Sequence, residues 1–317
     1  MKFMTALEAV KRDGNTPDQR RIIEELAVTN EFLLDMPVKE ANDTTGMNHL
    51  KRTSIPKGSH RGYNQGVKSE LSTTEITRDI SVQVTGYSKV DEKIYREQND
   101  PTGFRSGEDM AFVAGMAETM AEDLVYGNNQ KDPRLLNGMA IRRPKLVKDK
   151  CVSMGGTGDN LTSLYLCKMG TDNVSLFYPK GASGCGVQVK DKGLVTEKDA
   201  DGGNFEAYVT YFEVNYGLSV GNEKSLIRIA NIDTNTTDGD KLAKKVLEMA
   251  KKLPKGEGDV VAYANSDVLN LIDMYLIDKS NIQYSPTDQY GKEVTKIRNI
   301  KLRTVDAILN TESEVTA

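Results

Sequence analysis

The stretch Phe104–Gly127, FRSGEDMAFVAGMAETMAEDLVYG, constrains this chain more than any other. Its apolar residues Met110, Val113, Ala114, Ala117, Met120, Ala121 and Leu124 recur at intervals of three, four and seven, which puts them on one face of an α-helix. Ser106 and Asp109 supply an N-terminal signal, because a Ser oxygen accepts orphan backbone N–H bonds there, and Gly127 supplies the stop. At ~1.5 Å per residue such a helix is a rod of ~30 Å. Its stripe is Ala and Met with one Val and one Leu, so neighbouring elements approach it closely. Met110, Val113, Ala117, Met120 and Leu124 are the residues expected to pack it onto another layer. A polar, Gly-dotted segment precedes the rod and an α/β pattern follows it, an order that suggests a scaffold more than a catalyst.

Taken in order, residues 1–40 read as an arm. RRIIEELAVTNEFLLD repeats Ile22, Leu26, Thr29 and Leu33 at helical spacing, between Pro17 and Pro37. Residues 41–70 carry Gly46, Gly58, Gly62 and Gly66 and the cations Lys51, Arg52, Lys57, Arg61 and Lys68. Two readings fit that composition: an insertion without fixed structure, or a two-stranded arm that orders against a neighbour. The following TEITRDISVQVTGYSKV favours the arm, since Ile76, Ile80, Val82, Val84 and Val90 hold even positions and Thr77, Asp79, Ser81, Gln83 and Thr85 odd ones. That alternation predicts one long half-buried strand, the second half of a protruding hairpin.

Beyond the rod, Leu135, Leu136, Met139 and Ile141 form a short apolar patch, and a Gly-rich loop leads into a strand at Leu164–Met169. That loop, Gly155-Gly156-Thr157-Gly158, lacks both the Lys-Ser/Thr of a P-loop and a full dinucleotide fingerprint. VSLFYPKG reads as a strand ended by Pro179. Phe205–Tyr216 reads as an aromatic central strand broken at Gly217, and Leu226–Asn231 as a helical turn. A helix opened by Asp238 buries Leu242, Val246, Met249 and Leu253. The strand DVVAYA and a Ser266-capped helix follow, and the apolar parity flip between Leu302 and Val305 predicts a bulge or bend.

Hydrophobic residues make up 38% of the 317, below the ~45–50% of ordinary domains, which leaves much surface for partners. A net charge of −4 with both signs interspersed argues against a strong nucleic-acid groove. Cys151, Cys167 and Cys185 lie far apart without a C-x-x-C pair and read as reduced thiols. No run has the length of a membrane helix and no signal-peptide core stands at the start. His49 and His60 are the only histidines and fall in the polar arm. No catalytic, cofactor or metal residue is therefore assigned.

The order of parts resembles the major capsid proteins of tailed bacteriophages, the Hong Kong 97 fold. DPRLLNGMAI, the block FEAYVTYFEVNYGLSV with its RIANI, and RTVDAILNTE carry the likeness, and they are most similar to coat proteins of short-tailed phages like epsilon fifteen. The resemblance implies an α+β fold. Its parts would be an N-arm at 1–40, an extended E-loop at 41–75, a P-domain at 76–144 and 291–317 with the spine helix 104–127, and an α/β A-domain at 145–290. It implies a structural protein, not an enzyme and without cofactors, that self-assembles into hexamers and pentamers of an icosahedral head around double-stranded DNA. The E-loop residues Lys51, Arg52, Lys57, Arg61 and Tyr63 would then meet neighbouring subunits. Separate scaffolding, portal and decoration proteins are the further partners implied, with no membrane, and the expected location is the virion, assembled in the host cytoplasm. An encapsulin-type compartment shares the fold and is the nearest alternative. An α/β enzyme with residues 41–75 as a lid is the alternative from another class.

Overall fold

The structure is a computed structural model that describes residues 24–26, 30–54, 56–182, 186–277 and 296–316. Pro17, Ile22 and Thr29 of the expected N-terminal helix, and Cys185, lie outside them. Three sheets and a few helices make up the described chain. The long helix runs from Pro101 to Tyr126. It starts before Phe104 because Asp100, with Pro101 behind it at the first helical position, is the cap; the Asp100 side chain accepts from the Gly103 N–H. Ser106 is an interior residue of the helix.

The first sheet has the order β1-β7-β9-β4, with β8 also paired to β9. These strands are β1 Val38–Glu40, β4 Val82–Asp91, β7 Val174–Tyr178, β8 Val187–Lys198 and β9 Asn204–Val220. β9 is the axis of the sheet. Along one edge it pairs with β4, from Val82↔Tyr216 to Asp91↔Ala207. Its other edge is shared between β8 and β7. Gly217 does not break this strand. A Cβ there would stand 2.3 Å from the Phe177 ring, so the glycine makes room for an aromatic side chain from β7.

The long helix lies across this sheet, with Val113, Met116, Ala117, Met120 and Leu124 buried against Val82, Phe212, Val214 and Tyr216. Gly86 on β4 lets it approach, since a Cβ there would come 3.3 Å from the Met116 sulfur. The short helix α1, Glu31–Asp35, is capped by Asn30 and inserts Phe32 and Leu34 into the same core. That cap ends the expectation of one continuous N-terminal helix through Leu33.

The second sheet has the order β12-β13-β11-β6-β10-β5. Its strands are β5 Cys151–Ser153, β6 Thr162–Lys168, β10 Leu226–Ile232, β11 Val260–Ala264, β12 Lys296–Ile297 and β13 Ile300–Thr304. Two helices cover one face: Gly239–Ala250, capped by Asp238, and Ser266–Ile277, whose Asp267 N–H is accepted by Asn265 rather than capped by Ser266. β6 is buried along its whole length. Leu164 and Leu166 point to those helices, while Tyr165 and Cys167 join the core beneath the long helix, so alternate residues of one strand serve two layers.

β10 corrects the expected helical turn. All seven of its residues are buried, and a short apolar run buried on both faces carries no period that separates strand from helix. The parity flip near Leu302 is the end of β13 at Thr304, after which Val305 N–H bonds the Ala264 carbonyl. Strand pairing also runs across the contiguous segments expected as domains: β7–β9 join β1 and β4, and β13 runs parallel to β11.

The third sheet is a hairpin of β2 Gly46–Arg52 and β3 Thr74–Ile80, paired from Gly46↔Ile80 to Arg52↔Thr74. The expected single strand through Val90 is therefore two. Ser81 gives its N–H to Thr45, and the chain changes partner from β2 to β9 at that point.

Candidate functional site: the hairpin and the long helix

The hairpin leaves the body by its own length and carries a loop with it. Residues 56–78 are all exposed. Their apolar members, Tyr63, Val67, Leu71 and Ile76, stay out of every core, and Ile76 faces its cross-strand partner Leu50 in solvent. Tyr63 is wholly exposed. Arg61 Nε donates to the Gln65 carbonyl at 2.9 Å, the Lys57 N–H donates to Glu70 at 2.8 Å, and Arg52 stands opposite Thr74 at the end of β2. Lys51 behaves differently, because it pairs within the chain to Glu223, which also accepts from Lys150 at 2.5 Å. These two lysines hold the Glu223 carboxyl down at about 2. The helix residues gather where the loop residues scatter: Val113, Ala117, Met120 and Leu124 are buried in one core and Met110 packs at its margin.

Sequence reading missed the polar root of the hairpin. The odd-numbered Asp79 was expected on the solvent side, yet it is buried while Ile76 is exposed. The face turned to the body is the polar one, so the hydrophobic alternation pointed the wrong way. The Asp79 carboxylate accepts from Arg142 at 2.8 Å and from the Val220 N–H at 3.2 Å, and lies 3.3 Å from His49 Nε2. Burial pushes its pKa up, but His49, Arg142 and the Val220 amide outweigh that and hold it below the usual range.

Ser219, His49 and Asp79 thus come together at the root of the arm. The geometry is still not that of a nucleophilic triad. Both Ser219 Oγ, at 3.0 Å, and Asp79 address the same ring nitrogen, Nε2, and Ser219 is fully buried. A triad needs the carboxylate on the other nitrogen and the hydroxyl open to substrate. Among the described residues no group of three or more His, Cys, Asp or Glu could hold a metal, and no helix is long and apolar enough to cross a membrane.

The chain thus has a protruding hairpin, a long helix across a sheet and a second, helix-covered sheet, and the family comparison decides what they belong to. The model of the major capsid protein GP7 family matches residues 13–316. The chain belongs to that family. This coat protein is similar to a chain in the solved structure of bacteriophage Epsilon15, with 26% identity over 89% of this chain and 88% of that one and a TM-score of 0.67. The bacteriophage JBD30 capsid matches over 87% of this chain and 90% of its own at a TM-score of 0.51 and 8% identity, which speaks to fold alone. The holo-SrpI encapsulin of Synechococcus elongatus aligns over 62% of this chain and 85% of its own at a TM-score of 0.39 and 9% identity, too distant to support the compartment reading. No curated protein sequence matches. The fold is thus an α+β phage-capsid fold of the Hong Kong 97 type, and the protein is a phage coat protein.

Proposed function

We propose that this coat protein closes, as hexamers and pentamers, into an icosahedral head around double-stranded DNA, and that its work is association without turnover. The observation that carries this reading is the run 56–78, exposed throughout with Tyr63, Val67, Leu71 and Ile76 uncovered by their own chain. Apolar side chains that repeat on an exposed excursion mark a surface for another protein. In this reading the hairpin is the family's E-loop, and Lys57, Arg61 and Tyr63 contact neighbouring subunits. Lys51 serves the hairpin's own root. The P-domain is the sheet of β1, β4 and β7–β9 with the long helix as its spine, and the A-domain is the six-stranded sheet with its two helices. The head assembles in the host cytoplasm and becomes part of the virion, with scaffolding, portal and decoration proteins as separate chains. Expression of the full chain with negative-stain microscopy and sedimentation is the test. Closed particles of uniform size are expected; a monodisperse subunit under all assembly conditions would refute it. Any turnover lost on changing one named side chain would refute the non-enzymatic part.

A further inference from the structure

The hairpin is held to its own body mainly by polar groups, with Ile80 at the end of β3 packed against the apolar core. Among the described residues, no apolar side chain of residues 46–79 belongs to a buried core. Besides His49 with Ser219, Arg78 with Asp43 and Asn48 with Asn42, two attachments hold it through charged groups distant in sequence. One is Lys51 with Glu223 and Lys150, in which each side chain keeps roughly a third or more of its surface in water. The other is Asp79, the buried charged group of the hairpin, with 8% of its surface left.

Asp79 differs from the outer pair in what it demands. Its partners come from separate parts of the molecule: Arg142 after the long helix, the Val220 amide at the end of β9, and His49 on the hairpin itself. Arg142 is in turn fixed by the carbonyls of Asn137 and Leu218. His49 travels with the hairpin, whereas Arg142 and the Val220 amide belong to the body and reach the carboxylate together at this hairpin angle. At any other angle the charge must move into water or lose its partners while buried, which is strongly unfavourable. Only Ser81 separates β3 from β4, and residues 41–45, which precede β2 outside any strand, are tied to the hairpin through Asn42 with Asn48 and Asp43 with Arg78.

We propose that Asp79 is the positioning residue of the hairpin: its carboxylate, seated between Arg142, His49 and the Val220 amide, sets the angle at which the hairpin leaves the body. That angle aims the exposed segment 56–78, so the consequence for assembly rests on the shell-subunit reading above. The positioning itself does not.

Lys51 and Lys150 provide a native probe, because both ammonium groups bond the same Glu223 carboxylate. A short amine-reactive cross-linker on the full chain joins them only while the hairpin stands at this angle. The yield of the Lys51–Lys150 link, read by mass spectrometry, is compared for wild type, Asp79→Asn and Arg142→Gln. Hydrogen exchange of Met110–Val125 and the melting temperature are read beside it. Both variants are expected to lower the yield at least fivefold and the melting temperature modestly, while exchange in the long helix stays at wild-type values. An unchanged yield in either variant overturns the proposal. A lost yield accompanied by faster exchange in the long helix also overturns it, since Asp79 would then be a general stability residue. Particles are counted separately by microscopy. A wild-type chain that forms none defeats the shell reading and leaves the cross-link result intact.

Discussion

Among the described residues, buried charged side chains meet either opposite charges or backbone carbonyls, as Arg143 and Lys168 do with the carbonyls of Leu226 and Gly256. Arg228 and Glu312 keep 7% of their side-chain surface each and bond at 3.0 Å, and Glu312 also accepts from Tyr126 and Ser163. The pair fastens the C-terminal stretch to β10. Removing one member strands the other, so Arg228→Met should cost about 3–5 kcal/mol of unfolding free energy, while Arg228→Met with Glu312→Leu should recover most of it. Urea denaturation of both variants checks this, and equal losses would show that the pair's charge is not what matters. The hairpin root titrates differently. Asp79 and Glu223 are both held below their usual range, Glu223 at about 2. A carboxylate whose folded pKa is depressed contributes stability above its unfolded value, ~4.3 for Glu. It gives that contribution up as pH falls through the folded one. Acidification from about pH 4.5 to about pH 2 should therefore loosen the hairpin root, seen as lower protection of the Val220 amide relative to its intrinsic exchange rate at each pH.

At the scale of elements, what the sequence made legible depended on how many faces an element buries. The long helix buries one stripe, and its period of 3.6 put Val113, Ala117, Met120 and Leu124 on one face, where all four are buried. Only its start was misplaced, because Asp100 and Pro101 lie outside the periodic run. β6 and β10 bury both faces, so β10 could not be told from a helical turn. The hairpin was visible as a hairpin, but its facing was not, because its inner contacts are charged and its outer face apolar. The polar root joins residues as distant as His49, Arg142 and Ser219, and no local pattern in the sequence links them. Two substitutions on the long helix test its orientation. Ala117 is wholly buried and its carbonyl accepts from Asn30. Ala117→Asp should therefore cost at least ~3 kcal/mol and abolish soluble protein. Gly115 lies on the opposite face with open space around a notional Cβ, so Gly115→Ala should raise subunit stability by about 0.5–1 kcal/mol. Thermal unfolding separates the two outcomes, and a neutral Ala117→Asp would mean that the helix is turned the other way.

At the scale of the whole molecule, the apolar core and the proposed assembly surface lie in different residues. The two sheets and the long helix share one continuous apolar core, whereas the excursion beyond Arg52 and Thr74 adds nothing to it. Thr53 and Thr73 close the paired part, with the Thr53 N–H donating to the Thr73 carbonyl at 2.9 Å. Residues 54–72 can therefore be replaced by Asn-Gly, the pair that suits a two-residue hairpin turn. Nothing buried is lost, and shortening the loop lowers the entropy of closing it, which should leave subunit stability unchanged or higher by ~1–2 kcal/mol. The same replacement removes Lys57, Arg61, Tyr63, Val67 and Leu71. In the proposed shell, each exposed ion pair that Lys57 or Arg61 makes across an interface would contribute only ~0.2–1 kcal/mol. Repetition around every capsomer makes their sum decisive for closure. Circular dichroism of the shortened chain should accordingly show an unaltered or raised melting temperature, while sedimentation shows no closed particles. Normal shells from the shortened chain would make the excursion dispensable. A lowered melting temperature would place part of residues 54–72 in the folding core and contradict their exposure.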